Sequence, residues 1–142
     1  MKNNLKIIIF IIILALVGFA FKQKQPAVVP TPQDELEIIS TTPHPLEEAT
    51  ILPTQSIEVT FNKPLFVSEF KHKFDPEIEH QVEAINSQST NFGQTLRIVF
   101  TKPLQLGSGY TLFILPNTHS EDGLKLGRDV IYHFKTIDYR GV

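Results

Sequence analysis

The nonapeptide at positions 57–65, IEVTFNKPL, returns almost unchanged at positions 96–104 as LRIVFTKPL. Each copy alternates apolar residues with polar or β-branched ones and then meets a Lys-Pro-Leu step. A period of two sets Ile57, Val59 and Phe61 on one face of a strand, and Leu96, Ile98 and Phe100 on one face of another. Proline has no N–H to give a ladder, so at that step each strand must end, bulge or lie at an edge. Two matched strands of this kind predict an all-β sandwich whose inner faces meet over Phe, Ile and Val. Such a scaffold is more commonly a binding module than an enzyme.

Further strand signals recur from Glu35 onward, with turn chemistry between them. The pattern predicts strands over Leu36–Ser40, Ser56–Asn62, Phe70–Phe74, Glu77–Ile85, Thr95–Thr101, Tyr110–Leu115 and Val130–Ile137. Residues 49–54 read as a loop, and 116–129 as the longest loop. In the third strand Phe70, His72 and Phe74 share a face; in the fourth Ile78, His80, Val82 and Ala84 do. Seven strands with no convincing amphipathic helix match a seven-stranded immunoglobulin-like β-sandwich.

The chain before this domain has a different character. Lys2 and Lys6 precede an unbroken apolar run from Ile7 to Phe21, followed by Lys22 and Lys24. Residues 1–22 read as a signal peptide or an N-terminal hydrophobic helix anchoring the chain, with membrane contact through residues 7–21. Gly18 and Ala20 have the small side chains that allow cleavage after Ala20, and both outcomes stay open. Residues 23–34 hold three prolines and form a Pro-rich linker. The domain then covers 35–138 and is expected to be extracytoplasmic, membrane-anchored or, after cleavage, secreted.

Of 13 Lys and Arg, four lie in the N-terminal segment, whereas all 15 Asp and Glu lie beyond it, so the remainder carries a net charge of −6. Such a surface repels phosphate backbones and argues against nucleic acid as a partner. With no cysteine in the chain, disulfides, lipidated cysteine and cysteine-based metal or redox sites are excluded. The core must hold the domain by itself.

The stretches Ile39-Ser40-Thr41-Thr42-Pro43, Ser56–Pro64, Leu96–Phe100 with Pro103-Leu104, Leu106–Leu112 and Tyr132–Thr136 occur in an order and spacing that resembles the bacterial Ig-like domain of S-layer and other cell-surface proteins (the SbsA-type module). The resemblance covers about residues 35–137. It implies a non-catalytic sandwich used as a spacer or as an assembly or adhesion unit; a single copy on a short stalk departs from the family's arrays. A more distant likeness is to CopC-type periplasmic copper proteins, which share the sandwich and an Asp-Gly-His segment before the last strand. Here that segment is Ser120-Glu121-Asp122-Gly123-Leu124, with Leu124 where the histidine would stand, so the likeness comes without its copper ligands.

Other constellations weigh against chemistry. The histidines His44, His72, His80, His119 and His133 include no pair at i,i+2 or i,i+4; a metal site assembled from His80 and His133 is the alternative to ordinary strand positions. Glu121, Asp122 and Asp129 offer oxygen ligands to calcium, but their spacing matches no calcium loop and Asp-Gly is a turn signal. Glu47-Glu48 and Glu77, Glu79 and Glu83 read as solvated. No nucleophile elbow or phosphate loop surrounds Ser87, Ser89, Ser108 or Ser120. No catalytic, cofactor or metal residue is therefore assigned. Phe113, Leu115 and Ile131 fall on the face away from the core and would form an apolar patch if uncovered. The expected function is a non-catalytic Ig-like module engaging an unknown envelope or surface protein. The alternative is a small periplasmic metal- or ligand-binding protein on the same fold.

Overall fold

The computed structural model describes residues 35–138. The signal peptide or anchor at 1–22 and the linker at 23–34 lie outside the described residues. Among the described residues there are eight strands: β1 Ile38–Thr42, β2 Ala49–Ile51, β3 Ile57–Phe66, β4 His72–Asp75, β5 His80–Ile85, β6 Phe92–Phe100, β7 Gly109–Ile114 and β8 Val130–Thr136. A 3₁₀ turn, Val67–Glu69, joins β3 to β4. One sheet has the order β1-β3-β6-β5 and the other β2-β8-β7-β4. Every pairing is antiparallel except β2 with β8. Those strand orders are the two sheets of an immunoglobulin constant-type sandwich, with the first strand divided between them.

That division corrects the expected count of seven. The segment read as a loop at 49–54 contains β2, which pairs Ala49, Thr50 and Ile51 with Phe134, Lys135 and Thr136. Three residues are too few to show alternation, and their partner lies more than eighty positions away. Pro43 and Pro45, without N–H groups, interrupt the ladder between β1 and β2 and let the chain change sheets.

The repeat supplies the centre of the first sheet. Ile57 faces Ile98, and Val59 faces Leu96; with Phe61 these residues are wholly inaccessible to solvent. Leu112, Ile114 and Phe134 meet them from the second sheet as part of one core cluster. Phe100, the counterpart of Phe61, is only half-buried. The two Lys-Pro steps are used differently. β3 runs through Pro64 with a register shift between Thr60 and Leu65, so the proline sits where no ladder bond is required. β6 ends at Phe100, before Pro103.

Outward positions of the first sheet are polar. Glu58, Arg97 and Glu83 stand opposite one another across β3, β6 and β5. Arg97 gives both Nε and a terminal nitrogen to one Glu58 oxygen, at 3.0 and 2.9 Å, and lies 3.6 Å from Glu83. Thr60 and Thr95 share a hydroxyl bond of 3.0 Å beside this row. At the start of β7 the Tyr110 hydroxyl accepts the Gln105 N–H at 3.0 Å, the tyrosine corner of such sandwiches. Gly107, in the same connection, has φ +64°, and a Cβ there would run into the Asp138 carboxylate. The tight turn therefore requires glycine.

Candidate functional site

Strands β4 and β5 are the edges of opposite sheets, and their first residues bring two histidines together. Alternation turns His72 and Phe74 inward on β4, where His72 stands opposite Ile114. On β5 His80 stands opposite Phe100. The two Nε2 atoms are 2.7 Å apart. Each Nδ1 is held by a carbonyl two residues earlier: His72 gives to Phe70 at 2.9 Å and His80 to Ile78 at 2.6 Å. Phe70 stacks on His72 with centroids 4.3 Å apart, and Phe74 meets both imidazoles edge-on. Burial pushes the His72 imidazolium below its ordinary value; the Phe70 carbonyl opposes this, and the nearby His80 adds to it.

This pairing was not legible in the sequence. The predicted shared face of Phe70, His72 and Phe74 holds, as does that of Ile78, His80, Val82 and Ala84, of which Ala84 is in the core and Ile78 and Val82 pack against it. What was missing is that the β4–β5 connection crosses from one sheet to the other, bringing residues eight apart face to face. Within the structure His80 is joined to His72, not to His133.

His133 is on β8 and exposed. It gives its backbone N–H to one Glu47 oxygen at 2.7 Å and its Nδ1 to the other at 2.9 Å. Those two bonds, the backbone one first, hold the Glu47 carboxyl below the usual carboxylate range. Glu48, at φ +60°, brings a second carboxylate, so that donor atoms of Glu47, Glu48 and His133 lie within 4.8 Å of one another. All three side chains are exposed. No other such trio of His, Asp or Glu occurs among the described residues. The pair read as solvated is thus gathered by a histidine 86 residues away.

The acids of the 116–129 loop do not converge. Asp122 accepts the Ser120 hydroxyl and lies 4.0 Å from Lys63, and these contacts, Ser120 first, hold its carboxyl low. Ser120 is buried and also receives the Leu124 N–H at 3.1 Å. Leu124 packs against the core. The loop closes one end of the sandwich: Thr118 exchanges bonds with the Lys71 backbone, Glu121 gives its N–H to the Pro64 carbonyl at 3.1 Å, and Leu36 gives its own to Lys125 at 3.0 Å. Glu79 pairs with Lys102 at 2.8 Å; like Glu83, it serves a surface ion pair.

Two outward regions carry exposed apolar side chains. Phe113 and Ile131 are directly opposed on β7 and β8; Ile131 is 44% exposed, while Lys73 lies over the Phe113 ring at 5.0 Å. The expected patch is therefore narrow and partly capped by a cation. On the other sheet, Ile39, Pro64, Ile85 and Phe92 border a shallow depression, with Ile39 58% exposed. Phe66, 45% exposed, packs against Phe92 with the rings tilted by 43° and their centroids 4.8 Å apart.

No protein-family model matches the sequence, and no curated protein does. Among solved structures the chain is similar to L,D-transpeptidase 3 from Mycobacterium tuberculosis, both by itself and with a faropenem-derived adduct. In each the identity is 14%, the TM-score 0.46, and the match covers 70% of this chain and 37% of the other. An L,D-transpeptidase from Mycobacterium tuberculosis H37Rv matches at 14% identity and TM-score 0.45, over 70% of this chain and 39% of that one. The match spans less than half the length of these structures. A likeness of this size assigns neither family nor activity.

Proposed function

We propose that this chain is a non-catalytic Ig-like module of the bacterial cell envelope, held outside the cytoplasm through its N-terminal hydrophobic segment and acting through contacts with another envelope protein. The observation that carries this reading is the outward depression beside β1. Ile39, Pro64, Ile85 and Phe92 border it, and Phe66 lies against Phe92, on a face otherwise laddered by threonines and ion pairs. A grouped apolar surface rimmed by polar side chains is the usual form of a protein docking site. The resemblance to surface Ig-like modules favours the same reading.

Site-specific photo-crosslinking in intact cells tests it. A photoreactive residue at Ile39 should yield one discrete crosslinked species, which Phe66→Asp abolishes, while a probe at Gln81, on the far edge of the same sheet, yields none. Equal or absent crosslinking at the two positions would overturn the reading. The trio Glu47, Glu48 and His133 favours a second reading, a metal-handling protein, since two carboxylates and an imidazole suit a divalent transition ion.

A further inference from the structure

The histidines that join β4 to β5 present a proton count that two neutral rings cannot meet. A carbonyl oxygen only accepts, so each Nδ1 must carry the proton it gives, His72 to Phe70 and His80 to Ile78. Two neutral imidazoles own two such protons, and both are then spent. Their Nε2 atoms would face each other lone pair to lone pair at 2.7 Å, a separation that belongs to a hydrogen bond. A third proton between them completes the chain of donors and acceptors.

We propose that His72 and His80 share one proton as an imidazolium–imidazole pair, and that this proton latches the free edge of one sheet to the free edge of the other. A metal ion is the poorer occupant, because two nitrogens fall short of the three or four protein ligands a zinc site takes. No third His, Asp or Glu joins the pair among the described residues.

The surroundings restrict the pair to a single positive charge. Phe70 and Phe74 pack against the rings, Phe100 stands opposite His80 and touches Phe74, and Ile114 stands opposite His72; none offers a counter-charge. The charged neighbours are engaged elsewhere or exposed. Lys71 bonds the Ser68 carbonyl and Glu69, and Glu69 also meets His119. Lys73 covers Phe113, Glu79 pairs with Lys102, and Glu83 with Arg97; Asp75 and Glu77 are exposed. A fourth proton would set two imidazoliums in contact inside this apolar wall, so it enters only as the rings separate.

A shared proton has a distinctive thermodynamic signature. Counting protons beyond those of two neutral rings, near pH 6.5, the ordinary imidazole value, the folded pair holds one. The unfolded rings hold two at pH 5 and none at pH 8. Below 6.5 the unfolded state binds more protons, so stability falls as pH falls; above 6.5 it binds fewer, so stability falls as pH rises. The latch is strongest between the two and releases on either side.

The test compares the full chain, in mild detergent and chelator, with the double variant His72→Leu/His80→Leu, which removes both polar partners together. Unfolding constants are measured by denaturant at pH 5, 6.5 and 8. The wild-type constant, divided by the variant's, is expected to be lowest near pH 6.5 and to rise on each side, by up to about tenfold per pH unit. A ratio that is flat or runs in one direction overturns the proposal. Should the variant not fold, ¹⁵N imidazole spectra of the wild type at pH 6.5 decide. Both Nδ1 atoms protonated and the Nε2 atoms sharing one proton is the expected result. A ring with a bare Nδ1, or a pairing that disappears on adding chelator, overturns it.

Discussion

Phe61 and Phe100 occupy equivalent places in the repeated nonapeptide, yet the structure predicts that truncating them has unequal consequences. Phe61 exposes no surface and stands opposite Ile38 at the irregular start of the β1–β3 ladder. Its ring meets Phe70 edge-to-face with centroids 5.9 Å apart. Phe61→Ala should therefore cost about 3 to 5 kcal/mol, the range for an aromatic ring removed from a closed core. Each kcal/mol shifts the midpoint of a domain this size by roughly 4 to 8 °C, so Tm should fall by at least about 12 °C. Phe100 lies at the end of β6, half-buried, and touches Phe74 edge-on at 5.9 Å. Half of a phenylalanine's burial is worth about 0.8 to 1.5 kcal/mol, with little cavity to add because the site opens to solvent. Urea unfolding of both variants, analysed at a common slope, gives the two losses. A loss under about 1 kcal/mol at Phe61 would refute its inner-face placement. Equal losses at the two positions would show that the repeat, and not the three-dimensional setting, governs them.

Tyr110→Phe keeps the stack on Phe134, whose centroid is 5.7 Å away, and removes only the acceptor for the Gln105 N–H; it should cost about 1 kcal/mol by thermal melt. Glu47 is held below its ordinary 4.5 by His133, so its contribution is complete above that value and is lost as pH falls through the lower folded one. Glu47→Gln should flatten the acid loss of stability between pH 5 and 3, by no more than about 0.2 to 1 kcal/mol because the pair is exposed; a melt series in that window reads it. For the envelope module, Tm should be unchanged between chelator, excess copper(II) and excess calcium. An ion at 100 times its Kd would add about 2.7 kcal/mol, and a rise that His133→Ala removes would make the exposed trio a metal site.

The fold was largely legible because its determinants are local. Alternation in the repeat placed Ile57, Val59, Leu96 and Ile98 at the centre of the core, and there they are. The strand beginning near Tyr110 was equally plain. The missing strand, β2, is held by non-local ladder bonds to β8 and carries only three residues, below the length at which a period can be recognised. Nor could the pattern say which Lys-Pro step would end its strand. Pro64 falls where the β3–β6 register shifts, between Thr60 and Leu65, and β3 resumes opposite Gly93 and Phe92. Pro103 follows Thr101, whose N–H has already turned to the Glu79 carbonyl at 3.2 Å, outside any strand. Identical residues thus act as a bulge in one copy and lie beyond a strand end in the other.

The same contrast explains why the histidines were hidden. Spacing rules find ligands that share a strand or a helix face, and they reject residues eight apart. In a two-sheet sandwich, a chain that leaves the edge of one sheet and enters the edge of the other brings its flanking residues together across the gap at any short separation. His72 and His80 flank such a crossing, and Glu47 meets His133 beside the entry to β2, where the first strand joins the second sheet. Both polar clusters therefore lie beside changes of sheet. There the ladder cannot satisfy every donor and acceptor, and side chains must do so. In a sandwich of this topology, the crossings are where paired titratable groups should be sought first.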